Sequence, residues 1–432
     1  MTDAESLINA VAADPDADAP RLVLADWYDE HGDPDRAAFI RAHVRLARLP
    51  AGSPELAAAR KRVVELFDRC GAGWVDAINA EVVGQPPHPF APRWAADRRR
   101  IVVPCLPPKS APNRGTLRAV EFAGGLVGKV WLKYAEGPLD GLFARHPVTR
   151  VEMVQPPDAA RWQMIAVPAF ERVRTLGIAL ENIASESSVS VLGEVFASPS
   201  VAGVRRLAVS GGSTVRRGGR IESVTGGPAR EVIELFCRSP LARRLAGLRL
   251  PVRPWVLDAL AGYPLDDRLQ EFVAGGADRM AAEDWSRLAE MAFRPTLRRL
   301  DLFLCRIGDE AAGVIARGQR WVRLTHLRLA GNWIGDYGAA ELARCGVFPA
   351  VEWFDLSQNQ IGDAGADALA RSPLARRLLG LDLSGNRVSG PAAVRLAAAL
   401  VDGPLRTLRL AGCPLGRHAA KVREILGGRG VL

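Results

Sequence analysis

Between Asp14 and Asp35 the chain places eight carboxylates (Asp14, Asp16, Asp18, Asp26, Asp29, Glu30, Asp33 and Asp35) and one imidazole, His31. These types ligate cations or share protons, so their spacing decides which chemistry is open to them. Asp14, Asp16 and Asp18 begin like a calcium loop. The sixth position, where the turn demands glycine, is Ala19, and the twelfth, where a bidentate acid belongs, is Ala25. A transition-metal site would join His31 to Asp26, Glu30 or Asp33, but no second histidine follows at helical spacing. What remains is helix punctuation: Asp14 or Asp18 near helix starts, Asp26 and Glu30 on a solvated face, and Asp33 before Pro34 as a cap. Neither a metal nor a cofactor is expected.

Other chemical signatures are equally thin. There is no G-x-S-x-G elbow, no catalytic-cysteine signature and no G-x-x-x-x-G-K-[ST] phosphate loop. GGSTVRRGGR (211–220) is glycine-rich and basic but lacks the phosphate-loop spacing, and reads as a surface loop. His31, His43, His88, His146, His326 and His418 are scattered, and the six cysteines form no C-x-x-C pair. Cys70, Cys105, Cys237, Cys305, Cys345 and Cys413 are therefore expected as free thiols in a reducing compartment.

The elements that must carry any site are set by a repeat. LRRLDLFLCRI (297–307), LTHLRLAGNWI (324–334), VEWFDLSQNQI (351–361), LLGLDLSGNRV (378–388) and LRTLRLAGCPL (405–415) align without gaps, each unit starting 27 residues after the last. Leu300, Leu302, Leu327, Leu329, Leu356, Leu381, Leu383, Leu408 and Leu410 stand at period two, which predicts short strands with one inward face. Asn332, Asn359 and Asn386 follow, where a buried amide can satisfy the turning backbone; Cys305 and Cys413 take that slot in the outer units. Asp309, Asp336 and Asp363 are placed to cap the helices that come next, and Pro391 suits the first turn of another. Leu342, Leu369 and Leu396 recur at the same interval and predict an inward helix face.

The pattern L-x-x-L-x-L-x-x-N/C-x-L resembles leucine-rich repeats of the ribonuclease-inhibitor type. The resemblance implies an α/β solenoid with parallel strands on the concave side and helices on the convex side. Weaker echoes at VTRVEM (148–153), VRTLGI (173–178), VRRLAV (204–209) and LAGLRL (245–250) extend it upstream. SPLARRLAGLRL (239–250) matches SPLARRLLGLDL (372–383) at ten of twelve positions, so the middle segment comes from the same repeat. Insertions such as the 210–220 loop account for its uneven spacing.

Residues 84–114 hold eight prolines and three consecutive arginines, and are expected as an extended connector. Ahead of it, Leu7, Ile8 and Val11, then Pro20 to Trp27, then Phe39, Ile40, His43, Val44 and Ala47, then Leu56, Val63, Leu66 and Phe67 predict four helices. The expected organisation is a small all-α domain over 1–83, a linker over 84–114, degenerate repeats over 115–296 and regular repeats over 297–432. The D-P-D-A-D loop at Asp14 to Asp18, the A-P-R-L start, the A-D-W core at Ala25 to Trp27, Glu30, Gly32 and the F-I-R at Phe39 to Arg41 resemble the repeat-companion domain of bacterial, planctomycete-type leucine-rich repeat proteins. His31 departs from that family, which commonly has arginine there. The resemblance covers about 45 residues and implies architecture, not a reaction.

Composition bounds the rest. With 48% hydrophobic and 24% charged residues the chain is a folded one. MTDAESLINA lacks the basic, apolar start of a secretory signal, and no apolar run spans a bilayer, so the expected compartment is the cytoplasm, without membrane contact. The net charge is +9, with residues 1–80 carrying nine basic and fourteen acidic side chains. Only five of the 57 basic residues are lysine, an arginine bias that codon composition can produce, so nucleic acid is not the favoured partner. The leading function is a monomeric, non-enzymatic scaffold for a protein partner of unknown identity. Nucleic-acid binding by the basic repeats, or an enzyme site in the irregular middle, are the alternatives. Strand alternation points Arg299, Asp301, Phe303, His326, Arg328, Trp353 and Asp355 to the concave face as the expected partner-binding residues.

Overall fold

The computed structural model describes residues 3–50, 53–71, 73–74, 93–95, 100–104, 117–132, 140–153, 168–179, 186–210, 214–217, 220–223, 230–262, 265, 268–275, 280–291, 295–317, 321–344, 346 and 348–431. The chain forms two compact units, Met1–Pro228 and Ala229–Leu432.

The first unit opens with helices α1 (Asp3–Ala13), α2 (Ala19–Glu30), α3 (Pro34–Arg48) and α4 (Leu56–Leu66), the four that the apolar spacing predicts. Strands β1 (Arg93–Trp94), β2 (Ile101–Pro104), β3 (Leu117–Ala123) and β4 (Leu126–Leu132) pair antiparallel in that order. Parallel pairing begins at β4 and continues through β5 (Arg150–Met153), β6 (Thr175–Ala179) and β7 (Arg206–Ser210). The first three upstream echoes of the repeat are thus strands. Helices α5 (Asp140–Arg145) and α6 (Glu186–Ala197) lie between them in sequence. The insertion after β7 contains an antiparallel hairpin, β8 (Thr214–Arg217) with β9 (Arg220–Ser223).

The described part of the proline-rich segment departs from an extended connector. Ile101 and Val103 on β2 are buried, and β2 pairs with β3 along its whole length. The helices likewise do not stand apart from the strands: Leu126 shares a core with Ile8, Val11, Leu24, Ile40 and Val44. Phe39 meets Phe122 edge-on at 5.8 Å, and an added Cβ on Gly125 would strike the Ile40 backbone. Four short amphipathic helices leave an apolar side open, and the β3–β4 ribbon closes it.

The second unit is built of repeats. Strands β10 (Gly247–Pro251), β11 (Glu271–Gly275), β12 (Arg299–Phe303), β13 (His326–Arg328), β14 (Trp353–Asp355), β15 (Gly380–Asp382), β16 (Thr407–Arg409) and β17 (Gly430–Val431) are all parallel. Helices α7 (Arg230–Arg238), α8 (Pro254–Gly262), α9 (Ala282–Glu290), α10 (Gly308–Arg317), α11 (Asp336–Arg344), α12 (Asp363–Arg371), α13 (Gly390–Leu400) and α14 (Ala419–Leu426) alternate with them. From β12 onward the register follows the 27-residue interval: Leu300, Leu327, Phe354, Leu381 and Leu408 pair in turn, all buried. After each of these strands the chain turns through a residue with positive φ, at Leu304, Gly331, Gln358, Gly385 and Gly412.

The asparagine ladder is closed as expected. Asn359 Oδ1 accepts from the Asn332 and Ile334 N–H groups at 2.9 and 3.0 Å, while its Nδ2 donates to the Leu329 and Leu356 carbonyls, both at 2.9 Å. Asn332 and Asn386 repeat this one unit back and one unit on. Cys305 and Cys413 donate through Sγ to the Ala274 and Leu383 carbonyls, so both thiols serve the same turns.

The helix caps differ from expectation. Asp309, Asp336 and Asp363 do not cap their own helices but the next ones. Asp309 Oδ1 accepts from the Gly335 and Gly338 N–H groups at the start of α11, at 2.6 and 2.9 Å. Asp336 does the same for Gly362 and Gly365 of the following unit, at 2.6 and 2.9 Å. Asp363 accepts from both N–H and Oγ of Ser389, ahead of α13. The free N–H groups of each helix start open toward the preceding repeat, and its carboxylate reaches them first.

Candidate functional site

The acidic N-terminal stretch resolves into individual duties. Asp33 accepts from the Arg36 N–H at 3.0 Å and caps α3 as read from sequence. Asp18 sits at the N-cap of α2 without capping it; its carboxylate takes Arg48 at 2.7 Å instead. Asp26 and Asp29 share Arg41 at 2.6 and 2.5 Å, and Asp35 takes Arg69 at 3.1 Å. His31 lies stacked on Trp27, with Nδ1 2.8 Å from the Trp27 carbonyl. Arg21 explains the loop: it is 8% exposed and donates to the Pro15 and Ala17 carbonyls. Burial lowers its pKa, and Asp18, Asp16 and Asp14 act in the opposite direction, so the acidic run is the counter-charge of a buried guanidinium.

The expected partner face lies on the second unit. Between the buried leucines, register lines up two rows of outward residues. One runs Glu271, Arg299, His326, Trp353, Gly380 and Thr407; the other runs Val273, Asp301, Arg328, Asp355, Asp382 and Arg409. In the second row charges are matched across strands. Arg328 reaches Asp355 at 3.0 Å and Asp301 at 3.3 Å, and Arg409 reaches Asp382 at 3.5 Å. In the first row Arg299 faces Glu271 at 3.6 Å. The carboxylates are tied from below as well, with Asp355 accepting from Ser357 N–H and Oγ, Asp382 from Ser384 N–H, and Asp301 from Phe303 N–H.

Trp353 is the largest group on this face and is 37% exposed. Its ring occupies the space above Gly380, where any Cβ would collide with it. His326 stacks beside it, with rings 6.1 Å apart and inclined by 12°. Burial, and after it the Arg299 guanidinium, lowers the His326 pKa, with Glu352 opposing, so the stacked imidazole is neutral near neutral pH. A depression of about 270 Å³ opens here.

Of the seven residues expected on the face, Arg299, His326, Arg328, Trp353 and Asp355 line the depression, and Asp301 and Phe303 do not. Asp301 is 7% exposed beneath Arg328, and Phe303 lies under the same guanidinium at 4.4 Å. The residues that sequence reading left out of the site are Gly380, Asp382, Thr407 and Arg409. The signal for them was the same 27-residue register carried two strands further.

Among the described residues no group of three or more His, Cys, Asp and Glu is arranged to hold a metal ion. No described helix is long and apolar enough to cross a membrane.

The leucine-rich repeat family profile matches residues 295–316, 324–343 and 354–370, so these units are leucine-rich repeats. No curated protein matches the chain in sequence. Among solved structures the chain is similar to an internalin from Listeria monocytogenes, at 13% identity and TM-score 0.35, covering 71% of this chain and 86% of that one. It is similar to the Rad7 and Elc1 complex of yeast at 11% identity and TM-score 0.47, covering 94% and 88%. A protein of Bacteroides fragilis is similar at 12% identity and TM-score 0.34, covering 79% and 91%.

Proposed function

We propose that this protein is a non-enzymatic interaction scaffold that takes a protein partner on the strand face around Trp353. The observation carrying the proposal is the partly exposed Trp353 ring, held over Gly380 and stacked on His326 beside an open depression. Tryptophan and arginine are the residue types that most often dominate binding energy at protein interfaces, when set in a rim that excludes water. Arg299, Arg328, Asp355, Asp382 and Arg409 supply that rim, and because their charges are already matched, a partner meets few uncompensated ions. A repeat surface of this kind needs no reaction to act.

The same reading makes the four N-terminal helices a repeat-companion domain of the bacterial, planctomycete type, and the protein a cytoplasmic monomer. Trp353→Ala, with Trp353→Phe as the conservative control, tests the face. Capture of a partner from lysate of the source cells is expected to fail for the alanine variant and survive for phenylalanine, with both melting temperatures close to wild type. Lost stability with capture intact assigns Trp353 to packing and overturns the proposal.

A further inference from the structure

A second cavity, of about 410 Å³, lies in the first unit, in the size range of small-molecule sites. It is walled by α1–α2, α3, the β3–β4 ribbon and the start of β5. The groups that meet there have unequal hydrogen-bonding duties. Asp18 is taken by Arg48 and Glu121 by Arg100, and Asp16 offsets Arg21. Two buried side chains of the wall have unpaired nitrogens, Arg21 Nε and both ring nitrogens of His43, and the exposed Arg150 guanidinium stands at its edge. Arg21 is 8% exposed and His43 1%. A buried polar group left unpaired costs free energy, so such nitrogens in a wall favour a ligand that pairs with them.

We propose that this cavity binds a small organic anion, which Arg150 pairs at the mouth while Arg21 Nε–H and the His43 ring donate from the closed side. Burial holds the His43 pKa down to about 3, so at neutral pH the ring carries no charge and offers one N–H donor. Of the three unpaired buried nitrogens two are donors, Arg21 Nε–H and one imidazole N–H, which match carboxylate or phosphate oxygens, and the remaining imidazole nitrogen is an acceptor that a protonated acid or a hydroxyl can meet; the apolar wall of Val11, Val44 and Ala123 accommodates a short carbon body. Gly128 leaves room on the opposite side, since an added Cβ would meet only Ala123 Cβ at 3.9 Å.

Calorimetric titration of the full chain with malonate, with inorganic phosphate, and with uncharged malonamide tests this. One-site saturable heat is expected for at least one anion, with Kd below about 1 mM, and none for malonamide. Arg150→Met, on an exposed side chain, is expected to weaken binding about tenfold, and Gly128→Leu, which fills the cavity, to abolish it, both at wild-type melting temperature. Binding by malonate alone or by phosphate alone identifies the headgroup. No saturable heat with either anion, equal binding of malonamide, or unchanged affinity in both variants overturns the proposal.

Discussion

At the scale of single residues, Asn359 has the heaviest duty in the second unit. Its amide oxygen and nitrogen together serve two N–H groups and three carbonyls of turns from adjacent repeats, most of them inside the core. Asn359→Ala leaves those groups dry and unpaired, and is expected to lower unfolding free energy by about 1 to 3 kcal/mol. Chemical denaturation measures this directly; an unchanged midpoint would mean that the turn is satisfied by other groups. Gly365 shows a second residue-scale constraint. The Asp336 carboxylate approaches the Gly365 N–H so closely that a Cβ there would sit 2.7 Å from Oδ1. Glycine in these helix starts is therefore a matter of clearance, not of backbone conformation.

At the scale of elements, the repeated carboxylates stitch one helix to the next. Asp363 shows the consequence for pH: the Ser389 hydroxyl and N–H hold its carboxyl below the usual carboxylate range. A depressed folded pKa adds stability that is present above the unfolded value and lost as pH falls through the folded one. Ser389→Ala removes one of the two bonds, so its melting temperature is expected to lie below wild type at neutral pH and to converge with it once the carboxyl is protonated in strong acid. A constant gap across that range would show that the pair acts by packing. The strands and helices of the regular repeats are legible in the sequence because leucines at period two and an asparagine recur every 27 residues. The direction of the caps is not, because Asp309, Asp336 and Asp363 precede good helix starts of their own while their carboxylates serve groups 26 residues away. Strand β11 escapes for a different reason: Phe272 and Ala274 fill the inward slots, and no leucine marks the register. Strand β2 is hidden by the prolines around it. On the candidate face the aromatic and charged residues could be read from alternation, but the role of Gly380 depends on the ring laid over it from the neighbouring strand.

At the scale of the whole molecule, the net charge of +9 invites a nucleic-acid reading that the arrangement of charges opposes. Phosphate recognition needs cations whose own partners are solvent and counterions, set along a track. On the second unit the row Asp301, Arg328, Asp355, Asp382, Arg409 mixes signs, and each arginine in it lies within 3.5 Å of a carboxylate. A phosphate arriving at Arg328 would have to displace Asp301 and Asp355 while standing next to both, so cation gain and anion repulsion nearly cancel. In the first unit Arg41, Arg48 and Arg69 are likewise held by Asp26, Asp29, Asp18 and Asp35. Binding to a mixed-sequence duplex or single strand is therefore expected to be weaker than micromolar at physiological salt, measured by fluorescence anisotropy. The double variant Asp355→Asn, Asp382→Asn releases Arg409 from its partner and leaves Arg328 with Asp301 alone, and is expected to raise whatever affinity exists and steepen its salt dependence. Submicromolar binding by the unaltered protein would show instead that other arginines form a track of their own.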